Sequence, residues 1–201
     1  MLACNAAEAQ GNARADIGNF SGLIRVGANT SQIHGDGYGG YNKVNLTGGV
    51  GVSTPFKKDL KLQFEINYAG RGSRKRPLSW DPSVYRISAH YIDLPILVRF
   101  SYWKLEFEAG ICNGIYVWHN EFDGFGKVPE NVELYRFNRY ELAANAGAYA
   151  RLWGNWLANV RFHYSILPAT GGLVRGNNSL FFVGVKHNVI SLCLVRNFKA
   201  N

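Results

Sequence analysis

Alternating apolar and polar residues form the clearest pattern in this sequence, and residues 91–100 show it best. Ile92, Leu94, Ile96, Val98 and Phe100 fall on one face of an extended chain, and Tyr91, Asp93, Pro95, Leu97 and Arg99 fall on the other. A period of two predicts a β-strand. One face is wholly apolar and the other carries two opposite charges. Because Pro95 has no N–H to donate, a bulge or a local break is expected there.

The same alternation recurs in eight segments and predicts an all-β chain. The predicted strands cover residues 20–30, 44–54, 60–70, 87–101, 104–118, 138–152 and 156–166, and the last one ends near Phe198. The connections between them alternate between long and short, starting with a long one. In an up-and-down barrel this places every long loop at one rim and every short turn at the other, as in outer-membrane barrels.

Aromatic residues gather near the ends of the predicted strands. Phe56, Tyr102, Trp103, Trp153 and Trp156 lie beside the short turns, whereas Tyr68, Trp118, Tyr140 and Tyr164 lie toward the long loops. Tyrosine and tryptophan are enriched where a membrane meets water. The two groups therefore predict an aromatic belt at each membrane interface.

The distribution of charge favours a membrane barrel over a soluble one. A soluble, lipocalin-like ligand-binding barrel has its apolar face inside, and a membrane barrel inverts this. Here the apolar faces are nearly free of charge, with Arg196 the main exception. We therefore predict an eight-stranded antiparallel up-and-down transmembrane β-barrel over residues 20–198, with both termini in the periplasm. The soluble barrel stays open as an alternative.

The charged residues of the polar faces are predicted to meet inside the barrel. Eight strands enclose a lumen just wide enough for side chains, so charges buried there must pair. The predicted lumen ion-pair network comprises Arg25, Lys61, Glu65, Asp93, Arg99, Glu106, Glu108, Arg139, Glu141, Arg151 and Arg161. Such a network fills the lumen and leaves no conducting pore.

Composition agrees with this fold and excludes other classes. Of the 201 residues, 14% are aromatic, 23 are glycine and only 18% are charged. No run of about 18 apolar residues exists, so no transmembrane helix is predicted. The net charge is +8, and no acidic residue follows Glu141. Because no nucleic-acid motif is present, the basic excess favours an anionic membrane surface over nucleic acid.

The first residues suggest processing. Ala-Glu-Ala at residues 7–9 fits a signal-peptidase site, with Gln10 as the mature N-terminus. Residues 1–9 are accordingly interpreted as a residual signal peptide or a disordered N-terminus, and residues 10–19 as an N-terminal extension. A lipoprotein signal with lipid on Cys4 is a second interpretation.

The remaining cysteines and the histidines give little sign of a reactive site. Cys112 and Cys193 are far apart in sequence, which excludes a CxxC site and leaves a bridge between them open. His163 and Ser165 share a face, as in some outer-membrane lipid A deacylases, but the usual downstream acid is missing. We predict no enzyme, no catalytic residue, no metal and no cofactor. A lipid A-modifying outer-membrane hydrolase is kept as an alternative.

A basic segment follows the third predicted strand. Arg71, Arg74, Lys75 and Arg76 place four cations within six residues. A guanidinium group can donate two parallel hydrogen bonds to a phosphate of lipopolysaccharide. These residues therefore form a candidate lipopolysaccharide site on a long loop. The alternative is an ordinary solvated loop.

Several segments resemble one known family. Tyr-Ile-Asp-Leu-Pro-Ile-Leu-Val at 91–98 resembles the Y-L-E-I-P-L-L-L strand of PorT-like outer-membrane β-barrel proteins of Bacteroidota. Residues 25–31, 62–72 and 195–198 are similar to other strands of that family. The resemblance covers about residues 20–198 and implies a barrel with a non-enzymatic structural or accessory role. Because one member is linked to type IX protein secretion, it also implies secretion or envelope assembly, with lipid, lipopolysaccharide and other envelope proteins as partners.

Overall fold

Eight long strands and one very short one make up a single antiparallel sheet. The structure is a computed structural model and describes residues 20–34, 40–75, 83–129, 136–170 and 185–199. The strands are β1 (Ser21–His34), β2 (Lys43–Lys57), β3 (Leu60–Arg74), β4 (Arg86–Tyr102), β5 (Leu105–Asp123), β6 (Gly126–Lys127), β7 (Tyr140–Trp153), β8 (Trp156–Ser165) and β9 (Lys186–Lys199). The two residues of β6 only extend the hairpin after β5. Within the described residues, no helix has the length and apolar character needed to cross a membrane.

The sheet closes on itself. Its order is β4-β3-β2-β1-β9-β8-β7-β5, and pairing of β4 with β5 completes the ring. The first and last strands pair from Ser21 opposite Lys199 to His34 opposite Lys186. Each of the eight long strands therefore has two neighbours and no free edge, which a membrane requires because lipid offers backbone groups no hydrogen bonds. The predicted eight-stranded antiparallel barrel is confirmed.

The two rims of the barrel differ as the loop lengths predicted. Turns of two residues join β2 to β3, β4 to β5 and β7 to β8. In these turns Asp59, Trp103 and Gly154 have φ of 64°, 54° and 50°, the left-handed values that tight turns need. We call this rim the short-turn end. The opposite ends of these strands, from which the longer connections leave, form the other rim, the long-loop end.

The side chains of β4 show which face points inward. Asp93 and Arg99 are buried, whereas Ile96 and Val98 are 48% and 41% exposed on the outer wall. The same alternation continues around the ring and leaves large apolar residues exposed on every long strand. The apolar face therefore surrounds the barrel and the polar face lines it. The soluble, lipocalin-like alternative was wrong, because it requires the reverse.

The aromatic residues mark a band of membrane thickness. Tyr68 near the long-loop end pairs with Ile92, which lies about ten residues from Tyr102 at the short-turn end. A tilted transmembrane strand needs about 9–11 residues. Most strands are longer than this band, and β5 reaches 19 residues. The excess length lies beyond Tyr68, at the long-loop end.

The predicted strand bounds fell short at the long-loop end. The sequence pattern indicated loops from residues 71 and 119, whereas β3 continues to Arg74 and β5 to Asp123. Beyond the apolar band the outer face meets water, so apolar residues no longer alternate there although the hydrogen-bonded ladder continues. Residues 119–123, interpreted as a loop, therefore belong to β5.

Pro95 interrupts one ladder without changing its register. Phe64 pairs with Ile96, and the next pair between β3 and β4 is Asn67 with Asp93. The ladder on the β5 side continues through Pro95. The irregularity expected at Pro95 is thus a break on the β3 side and not a bulge, because the missing N–H removes a donor without adding a residue.

Two sequence predictions concern the chain ends and the cysteines. The signal-peptide and N-terminal-extension predictions, and the lipid alternative at Cys4, lie outside the described residues.

Cys112 and Cys193 are both free and buried. The bridge between them that the sequence left open is therefore not formed in this structure.

The lumen ion-pair network as candidate functional site

Arg161 on β8 is the centre of the lumen. Its guanidinium donates to Glu65 on β3 at 2.8 and 2.9 Å. It also donates to both carboxylate oxygens of Glu108 on β5 at 2.8 Å. Arg25 on β1 adds a bond of 2.9 Å to Glu65. Two cations and two anions, all buried, thus join four strands across the lumen, and their charges balance.

Small residues on the inner wall make room for this middle layer. A Cβ on Gly51 would lie 2.8 Å from the Cγ of Glu65, and one on Gly147 would lie 2.6 Å from Oε1 of Glu108. No real Cβ approaches other atoms so closely. Glycine at these two positions therefore lets the two carboxylates reach Arg161, as alternation of large and small residues does in narrow barrels.

Toward the long-loop end lies a second layer around Arg71. Its guanidinium binds both oxygens of Asp93 at 2.6 and 2.5 Å and one oxygen of Glu141 at 2.8 Å. It also stacks on Tyr91 at 4.5 Å. The prediction of Arg71 as a loop residue for lipopolysaccharide was wrong. Because β3 continues past residue 70, Arg71 keeps the inward parity of Glu65 and is 1% exposed.

Glu141 on β7 collects further partners in this layer. Oε2 lies 2.9 Å from Nδ1 of His187, and Oε1 lies 3.4 Å from Nε2 of His163. The hydroxyl of Ser165 donates to the same carboxylate and accepts the N–H of His187 at 2.8 Å. In most serine hydrolases an imidazole takes the proton of the nucleophile. The buried hydroxyl of Ser165 instead bonds a carboxylate, so this arrangement gives the hydrolase alternative no support.

At the short-turn end the network meets an open mouth. Arg99 donates to Gln63 at 2.7 Å and to Glu106 at 2.5 Å, and it stacks on Tyr149 at 3.9 Å. Lys61 lies 3.5 Å from Glu106. Cavities of about 480 and 420 Å³ open beside these residues. The mouth is wide but ends at Arg99 and the middle layer.

Nine of the eleven residues predicted for the lumen take part in these contacts, and two do not. Arg139 and Arg151 are exposed. Both have inward parity, but Arg139 lies just before β7 begins and Arg151 lies near its other end, where the lumen opens to water. The sequence pattern placed Arg71 in a loop and left His163 and His187 out of the network, although parity along β3 and β8 indicates an inward position for the first two.

One known protein family covers most of this chain. Residues 8–171 match the family model described as an outer membrane protein beta-barrel domain. The chain belongs to this family. With the apolar outer wall and the closed ring, the match makes it a β-barrel of the bacterial outer membrane. None of the functionally curated proteins matches it in sequence.

One solved structure shares this fold at low identity, and two others have lower structural similarity. The Yersinia pestis attachment invasion locus protein Ail, solved with the heparin analogue sucrose octasulfate, has a TM-score of 0.50 and 17% identity over 89% of this chain and 99% of that chain. Neisserial surface protein A has a TM-score of 0.49 and 9% identity over 89% and 98%. OprG from Pseudomonas aeruginosa has a TM-score of 0.41 and 12% identity over 92% and 96%. At such identities the likeness concerns the fold alone.

Proposed function

We propose that this barrel is a non-conducting, non-enzymatic accessory protein of the outer membrane, acting in type IX-like protein secretion or in envelope assembly. The observation that carries the proposal is the filled lumen. A solute crossing the barrel would have to separate Arg161 from Glu65 and Glu108, whose charges are buried and fully paired. Such a barrel acts through its surfaces. Its PorT-like segments support a secretion role and a source in Bacteroidota.

Purification in mild detergent tests this role directly. The tagged barrel and an unrelated eight-stranded barrel are isolated at equal expression, and co-purifying proteins are identified by mass spectrometry. We expect the barrel alone to retain a secretion or envelope-assembly component, and to show no steady conductance in planar lipid bilayers. Equal retention by both barrels would refute the accessory role, and stable single-channel currents would refute the closed lumen.

We also propose that the long-loop end binds lipopolysaccharide, with that end outside the cell and both termini in the periplasm. On β3 and β4, Arg74 lies directly opposite Arg86, and both are exposed. Like charges at opposing positions destabilise a sheet unless an anion lies between them. Lys75 follows Arg74, whereas Arg76 lies outside the described residues. Arg86 therefore replaces Arg71 in the proposed lipopolysaccharide site.

Charge removal at this rim tests the lipopolysaccharide proposal. We expect Arg74→Gln with Arg86→Gln to lower the lipopolysaccharide retained per barrel several-fold after detergent purification, because phosphate binding needs both guanidinium groups. The matched control is Lys104→Gln with Arg151→Gln, which removes two exposed cations at the short-turn end. Unchanged retention in the first variant, or an equal loss in both, would contradict the proposal.

A further inference from the structure

We propose that the lumen binds one divalent cation of the zinc class at Asp93, Cys112 and His163. The carboxylate, the thiol and the imidazole each offer one atom, and these three atoms lie within 4.8 Å of one another. The residues come from β4, β5 and β8, and all three are buried. Thiolate and imidazole together select zinc-like ions over magnesium or calcium, which prefer oxygen. The site is independent of the accessory role proposed above.

The ring of His163 is oriented as a metal ligand. Its Nδ1 lies 2.8 Å from the amide oxygen of Asn145, which can only accept, so Nδ1 carries the proton. A histidine that binds metal through one nitrogen commonly donates the other N–H to an oxygen in this way. In the neutral ring the lone pair of Nε2 then points into the layer around Arg71.

The lone pair of Nε2 faces another acceptor. Oε1 of Glu141 lies 3.4 Å from Nε2. With the ring neutral and Nδ1 protonated, no proton lies between these two atoms, and a cation bound at Nε2 would supply the missing positive charge. Glu141 lies outside the cluster of Asp93, Cys112 and His163, so it is a neighbour of a cation held by His163 and not one of its three ligands.

The charge of this layer also favours a cation. Arg71 faces two carboxylates, Asp93 and Glu141, so with His163 and His187 neutral the described residues of the layer carry one excess negative charge. An uncompensated charge in a low-dielectric interior is costly. When a divalent ion binds, Cys112 loses its thiol proton to solvent and forms a sulfur–metal bond. The ion and the thiolate together add one positive charge, which cancels the excess.

Space and neighbouring charges permit an ion here. A cavity of about 30 Å³ borders Asp93 and His163 but not Cys112, and such a volume exceeds what one water needs. Arg25, Arg71 and Arg161 also border it, but each is already paired with a carboxylate. Asp93 holds Arg71 with both oxygens, so it can keep one on Arg71 and turn the other to the ion.

Cobalt binding to the purified barrel tests the site. The barrel in detergent is freed of metal with a chelator, kept reduced, and titrated with Co²⁺ both when folded and during refolding. We expect one ion per barrel, release of one proton, and a thiolate-to-cobalt charge-transfer band. We expect Cys112→Ser to abolish that band, and Asp93→Asn and His163→Gln each to weaken Co²⁺ binding at least tenfold.

Cys193 provides the matched control. It is equally buried in the lumen, but it contacts Arg25 at 3.2 Å and lies outside the cluster. Cys193→Ser should keep the charge-transfer band and the affinity for Co²⁺. Circular dichroism confirms that each variant is folded. Absence of the band in wild type under both loading conditions, its persistence in Cys112→Ser, or its loss in folded Cys193→Ser would each overturn the proposal.

Discussion

Replacing Arg161 with methionine is expected to lower the free energy of unfolding of the barrel by about 3–5 kcal/mol. Methionine keeps much of the length of the side chain and removes its charge. Glu108 then keeps only the amide of Asn159 as a described side-chain partner, at 2.9 Å. Glu65 still has Arg25. The loss is large because the Glu108 carboxylate stays buried without its cation. The net stabilisation that the intact ion pair gives to the folded barrel is smaller.

The measurement is urea unfolding in detergent micelles, followed by tryptophan fluorescence and by the gel mobility of the folded barrel. Arg151→Met is the control, because it removes an exposed cation from the same lumen-facing parity and should change stability by about 0.5 kcal/mol or less. Combining Arg161→Met with Glu108→Gln should recover part of the loss, since Arg25 and Glu65 then balance. Equal stability of Arg161→Met and Arg151→Met would contradict the buried network.

Replacing Ile96 with arginine is expected to cost about 2–4 kcal/mol of stability in a lipid bilayer. Ile96 is 48% exposed on the outer wall, between the two aromatic belts. A charge there must leave water for the hydrocarbon core. Tyr102→Arg in the same strand places the charge at the short-turn belt, where the cost falls to about 0–1 kcal/mol.

Both variants are refolded into phospholipid vesicles, and their unfolding midpoints in denaturant are compared with wild type. The quantity to compare is the loss of stability at each position. Both variants place an arginine on the same strand, so a larger loss at Ile96 reflects its depth in the bilayer. A similar cost at Ile96 and Tyr102 would mean that the outer wall does not contact lipid at the depth assigned here. A stabilising effect at Ile96 would reverse the assignment of inner and outer faces.

The sequence predicted the fold well because parity along a strand is a local property. Asp93 and Arg99 point inward and Ile96 points outward simply because side chains alternate. Parity does not say where the lumen ends, so Arg139 and Arg151 were counted in the ion-pair network although both are exposed. It also fails where the outer face meets water, and Arg71 was consequently placed in a loop.

The pairing of charges lay beyond what the sequence could predict. Arg161 meets Glu65 across 96 positions of chain, and that meeting depends on the register of four strands. The cluster of Asp93, Cys112 and His163 is hidden for the same reason, because no short spacing joins residues from three strands. Only the closed sheet brings such residues together.

Pairing of the first strand with the last also sets the order in which the barrel can form. Ser21 meets Lys199 only after the whole chain has been made and β9 has arrived, so closure depends on the most non-local contact of the fold. Folding dominated by such contacts is slow, and an unclosed sheet has two unpaired edge strands that can pair with other chains and aggregate. The periplasmic chain must therefore be kept from aggregating until its C-terminal strand is delivered, and a barrel truncated before β9 would remain an open sheet.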